Sequence, residues 1–366
     1  MAKYKRTALF ELQLTHGARL VPFGAWELPV EYSGISKEHH AVRTGVGLFD
    51  VSHMGEFLVR GSGSLDLLQY VTTNDVTRLS DGAAQYTTMA SEDGTVIDDL
   101  LVYRMARDQY MMVVNAANTD SDFHWLRTHN NFDSQVEDVS QQTTLLALQG
   151  PRAQEMLQAL TEADLSALAS FRCIQTRVAE AEGILSRTGY TGEDGFEFYF
   201  SNSDALGVWA TLIDEGKSFG LLPAGLGARN TLRLEAGMLL HGSDMDETTT
   251  PIEAGIGWVV KLEKGDFIGS GALLRQAEAG VTRKLAGFQM LGPQIARDGY
   301  PVIIDGQTVG RVTSGSPSIT LKKNIGLAYL PAEHAAHGTR FQVQIRKGLG
   351  EAEVVPTPFY KRRASI

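Results

Sequence analysis

The stretch Thr95-Val96-Ile97-Asp98-Asp99-Leu100-Leu101-Val102-Tyr103-Arg104 is a mostly apolar, strand-like run interrupted by two adjacent carboxylates. Side chains alternate across a strand, so Asp98 shares a face with Val96, Leu100 and Val102, while Asp99 shares one with Ile97, Leu101 and Tyr103. Unless both acids sit at a strand end open to water, or a bulge re-aims them, at least one looks inward. An ionised carboxylate left inside without a partner is costly, so the inward acid has to be paired, hydrogen-bonded, protonated or turned toward a polar cavity.

Working outward, residues 84–90 and 109–115 are further strand-like runs. The connections Glu92-Asp93-Gly94 and Ala106-Arg107-Asp108 are turn chemistry for an antiparallel meander with Asp99 on its central strand. A strand over 56–60 precedes it, followed by a helix capped by Ser64 with Leu65, Leu68 and Val71 on one side. After the meander, Asn118 or Thr119 caps a helix with Phe123 and Leu126 inward, and a strand covers 135–139. The same order then recurs: a strand over 144–149, a helix opened by Pro151, strands near 172–180, 184–188 and 196–200, and a helix from Ser203 or Asp204. Each unit reads β-α-β-β-β-α-β, a ferredoxin-like split βαβ pattern with an extra strand. Two such units side by side leave a seam where a ligand can bind. A connecting helix is expected over 270–280, and beyond Arg283 five short β runs punctuated by Gly, Pro and Asp predict a small barrel. The expected class is therefore α+β. Residues 1–275 form one region with two subdomains, roughly 50–140 and 141–270, behind an N-terminal segment, and 283–366 form a C-terminal β-barrel.

The 366 residues, 43% hydrophobic, suffice for a large core, and a formal net charge of −10 argues against a broad nucleic-acid-binding surface. The single cysteine, Cys173, excludes an intramolecular disulfide framework and suits a reducing compartment, so the cytoplasm is the expected location. The basic start Met1-Ala2-Lys3-Tyr4-Lys5-Arg6 has no apolar run after it, so no secretion signal is expected, and no stretch has the length of a membrane-spanning helix.

Several motifs fail on inspection. Gly225-Leu226-Gly227-Ala228-Arg229-Asn230 begins like a dinucleotide fingerprint, but Asn230 replaces the third glycine. Gly216-Lys217-Ser218 ends like a P-loop, yet Thr211 stands where its leading glycine belongs, and no G-x-S-x-G elbow occurs. His39, His40, His53 and Asp50 make a poor metal set because neighbouring histidines diverge on a helix or a strand, and residues 39–43 read as helix. No metal is expected. The loop Thr188-Gly189-Tyr190-Thr191-Gly192-Glu193-Asp194-Gly195 differs, since three glycines permit close backbone approach and present Tyr190 on a defined turn. It leads into Phe196-Glu197-Phe198, where Glu197 is either an edge-strand acid facing solvent or a buried acceptor. Arg229 and Arg233 lie four apart on a helix over 225–236, with a surface ion-pair network as the ordinary expectation and bidentate recognition of a ligand as the other.

Taken together, Phe49-Asp50-Val51-Ser52-His53-Met54, residues 96–103, Val113-Val114-Asn115-Ala116-Ala117-Asn118, residues 187–195 and residues 224–237 resemble the T-protein family of the glycine cleavage system. The resemblance continues through Gly242-Ser243-Asp244-Met245-Asp246-Glu247-Thr248, Gly257-Trp258-Val259-Val260-Lys261-Leu262, Thr313-Ser314-Gly315 and Pro358-Phe359-Tyr360, almost the whole chain. It implies three lobes around a central channel. It also implies an aminomethyltransferase that passes the aminomethyl group from the dihydrolipoyl arm of the lipoylated H protein to tetrahydrofolate, a co-substrate, giving methylenetetrahydrofolate and ammonia. By the same resemblance Asp99 matches the catalytic aspartate, Asp98 has a structural role, and Met54, Tyr86, Val113, Asn115, Tyr190, Glu197 and Arg229 line the folate pocket. One departure is Asn230, where the family commonly has aspartate after the arginine.

Overall fold

The computed structural model describes residues 4–362, so the first three residues of the basic start lie outside it. The chain runs through α1 (Phe10–Thr15), β1 (Arg19–Phe23), β2 (Trp26–Glu31), α2 (Ile35–Thr44), β3 (Gly47–Asp50), β4 (Gly55–Arg60), α3 (Ser64–Val71), β5 (Ala83–Ala90), β6 (Val96–Ala106), β7 (Gln109–Val114), α4 (Thr119–His129) and β8 (Gln135–Asp138). It continues through β9 (Thr143–Gln149), α5 (Ala153–Gln158), β10 (Cys173–Val178), β11 (Ala181–Ser186), β12 (Gly195–Ser201), α6 (Ala205–Gly216), β13 (Leu222–Pro223), α7 (Leu226–Glu235) and α8 (Ser270–Ala279). The strands β14 (Arg283–Met290), β15 (Pro301–Ile304), β16 (Gln307–Ser318), β17 (Lys323–Pro331), β18 (Arg340–Ile345) and β19 (Gly348–Val354) close into a barrel. The fold is α+β with a C-terminal β-barrel.

The two β-α-β-β-β-α-β segments build sheets of the same strand order. The first is β5-β6-β7-β4-β8 and the second β10-β11-β12-β9-β3-β13, so counting strands within each repeat gives second, third, fourth, first, fifth in both. The difference is β3, slotted between the first and last strands of the second repeat. There β13 is only two residues long and pairs parallel with β3, Leu222 opposite Gly47. In the split pattern, the strand entering each first helix lies beside the fourth strand rather than the one that follows the helix, as for β4 beside β7.

Burial along β6 follows the alternation read from sequence: Val96, Asp98, Leu100 and Val102 are buried, whereas Ile97, Asp99 and Leu101 are half-buried. The buried face of the first sheet carries Phe57, opposite Met112, with Phe123 of α4 packed on it at 5.5 Å between ring centroids. The second sheet packs Leu48, Leu146, Leu148, Phe196 and Phe198 against Trp209 and Leu212 of α6. By Cα positions the chain forms two compact units: residues up to Leu68 with Val76–Tyr86 and Leu100–Asn230, and Gln69–Asp75 with Thr87–Asp99 and the residues from Thr231 onward. The boundary passes along β6 between Asp99 and Leu100.

Two local expectations change. Ser64 is the first residue of α3 rather than its cap, and its buried hydroxyl finds no partner among the described residues. The barrel has a sixth strand, β19, whose inward positions Gly350, Ala352 and Val354 are too small to stand out as a hydrophobic run. Among the described residues no helix is long and apolar enough to cross a membrane.

Candidate active site

Strand register collects the sequence-predicted residues from the backbone up. Glu56 on β4 lies opposite Val113 on β7, and Val113 lies opposite Leu101 on β6, so the three share one face of the first sheet. Tyr103 is on that face two residues further along β6, and alternation along the same strand gives Asp99 the same facing. Asn115 follows directly on β7, Met54 directly precedes β4, and Tyr86 belongs to β5.

The second sheet meets this face through hydroxyls. Tyr103 Oη lies 3.1 Å from Tyr199 Oη and 3.2 Å from Thr188 Oγ1. Tyr199 and Glu197 are two apart on β12 and share a face, and the Thr188 hydroxyl donates to Glu197 Oε2 at 2.5 Å. Glu197 is thus a buried acceptor and not a solvent-facing edge acid. Burial pushes its carboxyl above the ordinary glutamate value, while the Thr188 hydrogen bond and the Arg229 charge pull the other way.

The Tyr190 loop is held at many points. Arg43 of α2 donates to Thr191 O at 2.8 Å and to Glu193 Oε1 at 2.9 Å, with both charged side chains nearly buried. Gln149 donates to Thr188 O at 3.1 Å and accepts from the Thr191 hydroxyl at 2.9 Å. Arg187 grips both oxygens of Asp194, at 2.9 and 2.5 Å. Of the three glycines only Gly192 needs a left-handed backbone, φ +78°; Gly189 serves close approach, since a Cβ there would strike the Gln149 side chain. On this fixed loop Tyr190 offers its ring to the Arg229 guanidinium, 4.7 Å from the centroid.

Arg229 is positioned from α2. Glu38, wholly buried, accepts through Oε1 from the backbone N–H of Tyr32, Ser33 and Gly34 at 2.6, 2.8 and 3.2 Å, and through Oε2 from Gly225 N at 3.0 Å. Gly225, just ahead of α7, passes so close to Val30 that a Cβ would stand 2.5 Å from its carbonyl. Arg229 follows one turn later and lines a small cavity of about 10 Å³ with Tyr32, Phe49, Asp50 and Leu226. Its charge also acts on His53, whose imidazole is driven to about 3 by burial first and by Arg229 second.

The paired acids part ways. Asp98 is 0% exposed with Oδ1 3.9 Å from His241 Nδ1, while Asp99 keeps partial access to solvent. Arg233 is not on a surface network: it is buried, 2.5 Å from Asp244 and 2.8 Å from Ser314 Oγ. Glu235 is buried as well, accepting from Ser318 Oγ at 2.6 Å and Thr320 N at 2.9 Å. Asn230, the departure from the family pattern, is exposed. His39 lies buried in α2, and among the described residues no group of three or more His, Cys, Asp or Glu is arranged to hold a metal ion. Sequence reasoning passed over Glu38, Arg43, Gln149 and Glu56. Of these, Glu56 carried the signal that singled out Asp99, a lone acid in the apolar strand Gly55-Glu56-Phe57-Leu58-Val59.

Comparison with known proteins matches residues 9–264 to the GCVT N-terminal domain and residues 283–361 to the glycine cleavage T-protein C-terminal barrel domain. The aminomethyltransferase of Geobacillus thermodenitrificans is 52% identical over 363 residues, covering 99% of this chain and 100% of that protein. The aminomethyltransferase of Bacillus subtilis is 50% identical over 360 residues, covering 98% and 99%. The crystal structure of the glycine cleavage system aminomethyltransferase T from Bartonella henselae superposes with a TM-score of 0.93 at 32% identity, covering 99% of both chains. With both domain models matched in order and full-length relatives at half identity, the chain belongs to the glycine cleavage T-protein family.

Proposed function

We propose that Met54, Tyr86, Val113, Asn115, Tyr190, Glu197 and Arg229 bind tetrahydrofolate and that Asp99 is the catalytic anion. The chain is a tetrahydrofolate-dependent aminomethyltransferase of the glycine cleavage system. It takes the aminomethyl carbon from the dihydrolipoyl arm of the H protein and delivers it to tetrahydrofolate, with release of ammonia and formation of methylenetetrahydrofolate. The lipoylated H protein is the macromolecular partner. The net charge of −10 speaks against a nucleic-acid partner, and the single cysteine suits the cytoplasm.

The observation that carries the folate assignment is Glu197, a buried carboxylate beside an arginine stacked on a tyrosine. A pterin ring presents adjacent donors at N3 and the 2-amino group, and a carboxylate has lone pairs for both with one left for Thr188. Tyr190, Val113 and Met54 supply apolar wall. At the reacting end, attack by the folate N5 on the lipoyl-bound carbon develops positive charge. Asp99 as an anion near N5 and N10 stabilises it and accepts or relays the proton.

Calorimetry tests the pocket. Glu197→Ala is expected to weaken tetrahydrofolate binding by about 1–3 kcal/mol, the worth of a charge-assisted hydrogen bond, and unchanged affinity would put Glu197 outside the pocket. The reaction class is tested with aminomethyl-loaded H protein. Turnover only with a free methylated donor would instead make the chain a folate-dependent demethylase.

A further inference from the structure

Glu56 has no part in the reaction described so far, yet it is the least accommodated charge-bearing group of the first sheet. It is wholly buried, and neither carboxyl oxygen has a hydrogen-bond partner among the described residues. The nearby Ser140 hydroxyl is taken up by the Glu56 backbone and by Asp138, leaving nothing for the Glu56 side chain. Glu56 shares its face with Val113, Leu101 and Tyr103, and Tyr103 meets Tyr199, which alternates with Glu197 on β12. The titratable groups acting on Glu56 are Asp138 on β8 and Glu197 on β12, both acidic, while Tyr199 on β12 feels Glu56 and Glu197 together.

We propose that Glu56 and Glu197 form an electrostatically coupled carboxyl dyad that carries a single proton, with Glu56 holding the proton and Glu197 the charge when a planar donor pair docks on Glu197. Two buried carboxylates on sheet faces joined by the Tyr103–Tyr199 hydroxyl contact cannot both ionise cheaply, and they have unequal environments. Glu197 has a hydroxyl donor and a guanidinium charge to support it, whereas Glu56 has neither and faces a second acid. Burial and the Asp138 and Glu197 charges hold the Glu56 carboxyl well above the ordinary glutamate value. Glu56 is thus a positioning residue, which keeps a single negative charge where the pterin donors arrive. The functional half rests on Glu197 being a folate ligand; the dyad itself does not.

The test separates these halves. Glu56→Gln and Glu197→Gln are compared with the wild-type chain by urea unfolding between pH 5 and pH 8, without folate. Because the folded chain keeps a proton that the unfolded chain gives up, the wild-type folding constant is expected to fall relative to Glu56→Gln by about tenfold per pH unit until Glu56 ionises. In Glu197→Gln that fall is expected to end at lower pH, since the neighbouring charge is gone. Parallel wild-type and Glu56→Gln profiles, or an unmoved end point in Glu197→Gln, overturn the dyad. Tetrahydrofolate binding by calorimetry then reads the function. Wild-type affinity is expected to fall at alkaline pH as the dyad loses its last proton, and Glu56→Gln is expected to stay level; an alkaline fall persisting in Glu56→Gln overturns the positioning role. Should Glu197→Gln bind folate as the wild type does at pH 7, the folate assignment fails while the unfolding profiles still decide the dyad.

Discussion

Asp98 and Asp99 are sequence neighbours with different surroundings because a strand turns consecutive side chains to opposite faces. Asp98 is wholly withdrawn and faces His241, and Asp99 stays half-buried on the face that carries Leu101 and Tyr103. An acid that relays a proton needs contact with solvent or substrate, which suits Asp99 better than its neighbour. Asp99→Asn is expected to lower turnover by about 10²-fold or more while largely preserving folate affinity, since the amide keeps the shape and loses the charge. Steady-state kinetics paired with calorimetry checks this, and near-normal turnover would move the catalytic anion elsewhere. The alternation that separates the two acids was legible in eight residues of sequence. What each acid meets was not, because His241 lies on a distant segment and no local periodicity encodes it.

At the scale of elements, the Tyr190 loop was legible as a defined turn from its glycines, but its anchors were not. Arg43 reaches Thr191 and Glu193 across 148 and 150 residues of chain, and Gln149 reaches Thr191 across 42. Helix α7 was legible in its bounds, yet Arg233 read as a surface charge because its partners, Asp244 and Ser314, come from outside the helix. Arg43 and Glu193 are nearly buried together, so removing one strands the other. Arg43→Met is expected to destabilise the fold by about 3–5 kcal/mol and to weaken folate binding through the loosened Tyr190, whereas Arg43→Met with Glu193→Gln recovers most of the stability. A double-mutant cycle by urea unfolding measures it, and additive losses in the cycle would reduce the pair to a surface-like contact.

For the whole molecule, the two β-α-β-β-β-α-β segments were legible as a repeated element order, and the shared strand order of the two sheets follows from it. The insertion of β3 was not, because a four-residue strand from the N-terminal segment has no local sign of which sheet it completes. The net charge of −10 says little about the interior, where buried titratable groups pull the stability in opposite directions with pH. Burial raises the folded-state values of Asp50, Glu56 and Glu197. The folded chain therefore keeps protons that the unfolded chain releases, and stability declines as pH rises from the ordinary carboxyl range through those raised values. His53 works the other way. Its folded value is about 3 against an ordinary 6.5, so the unfolded chain takes up a proton first and stability is lost as pH falls from 6.5 toward 3, by on the order of 5 kcal/mol in full. Between about pH 4.5 and 6.5 the His53 effect opposes that decline and makes the wild-type profile shallower. His53→Gln removes that opposition, so its unfolding midpoint in urea is expected to drop more steeply with rising pH through that window than the wild-type midpoint does. A His53→Gln profile parallel to the wild type would show that the folded imidazole titrates as freely as the unfolded one.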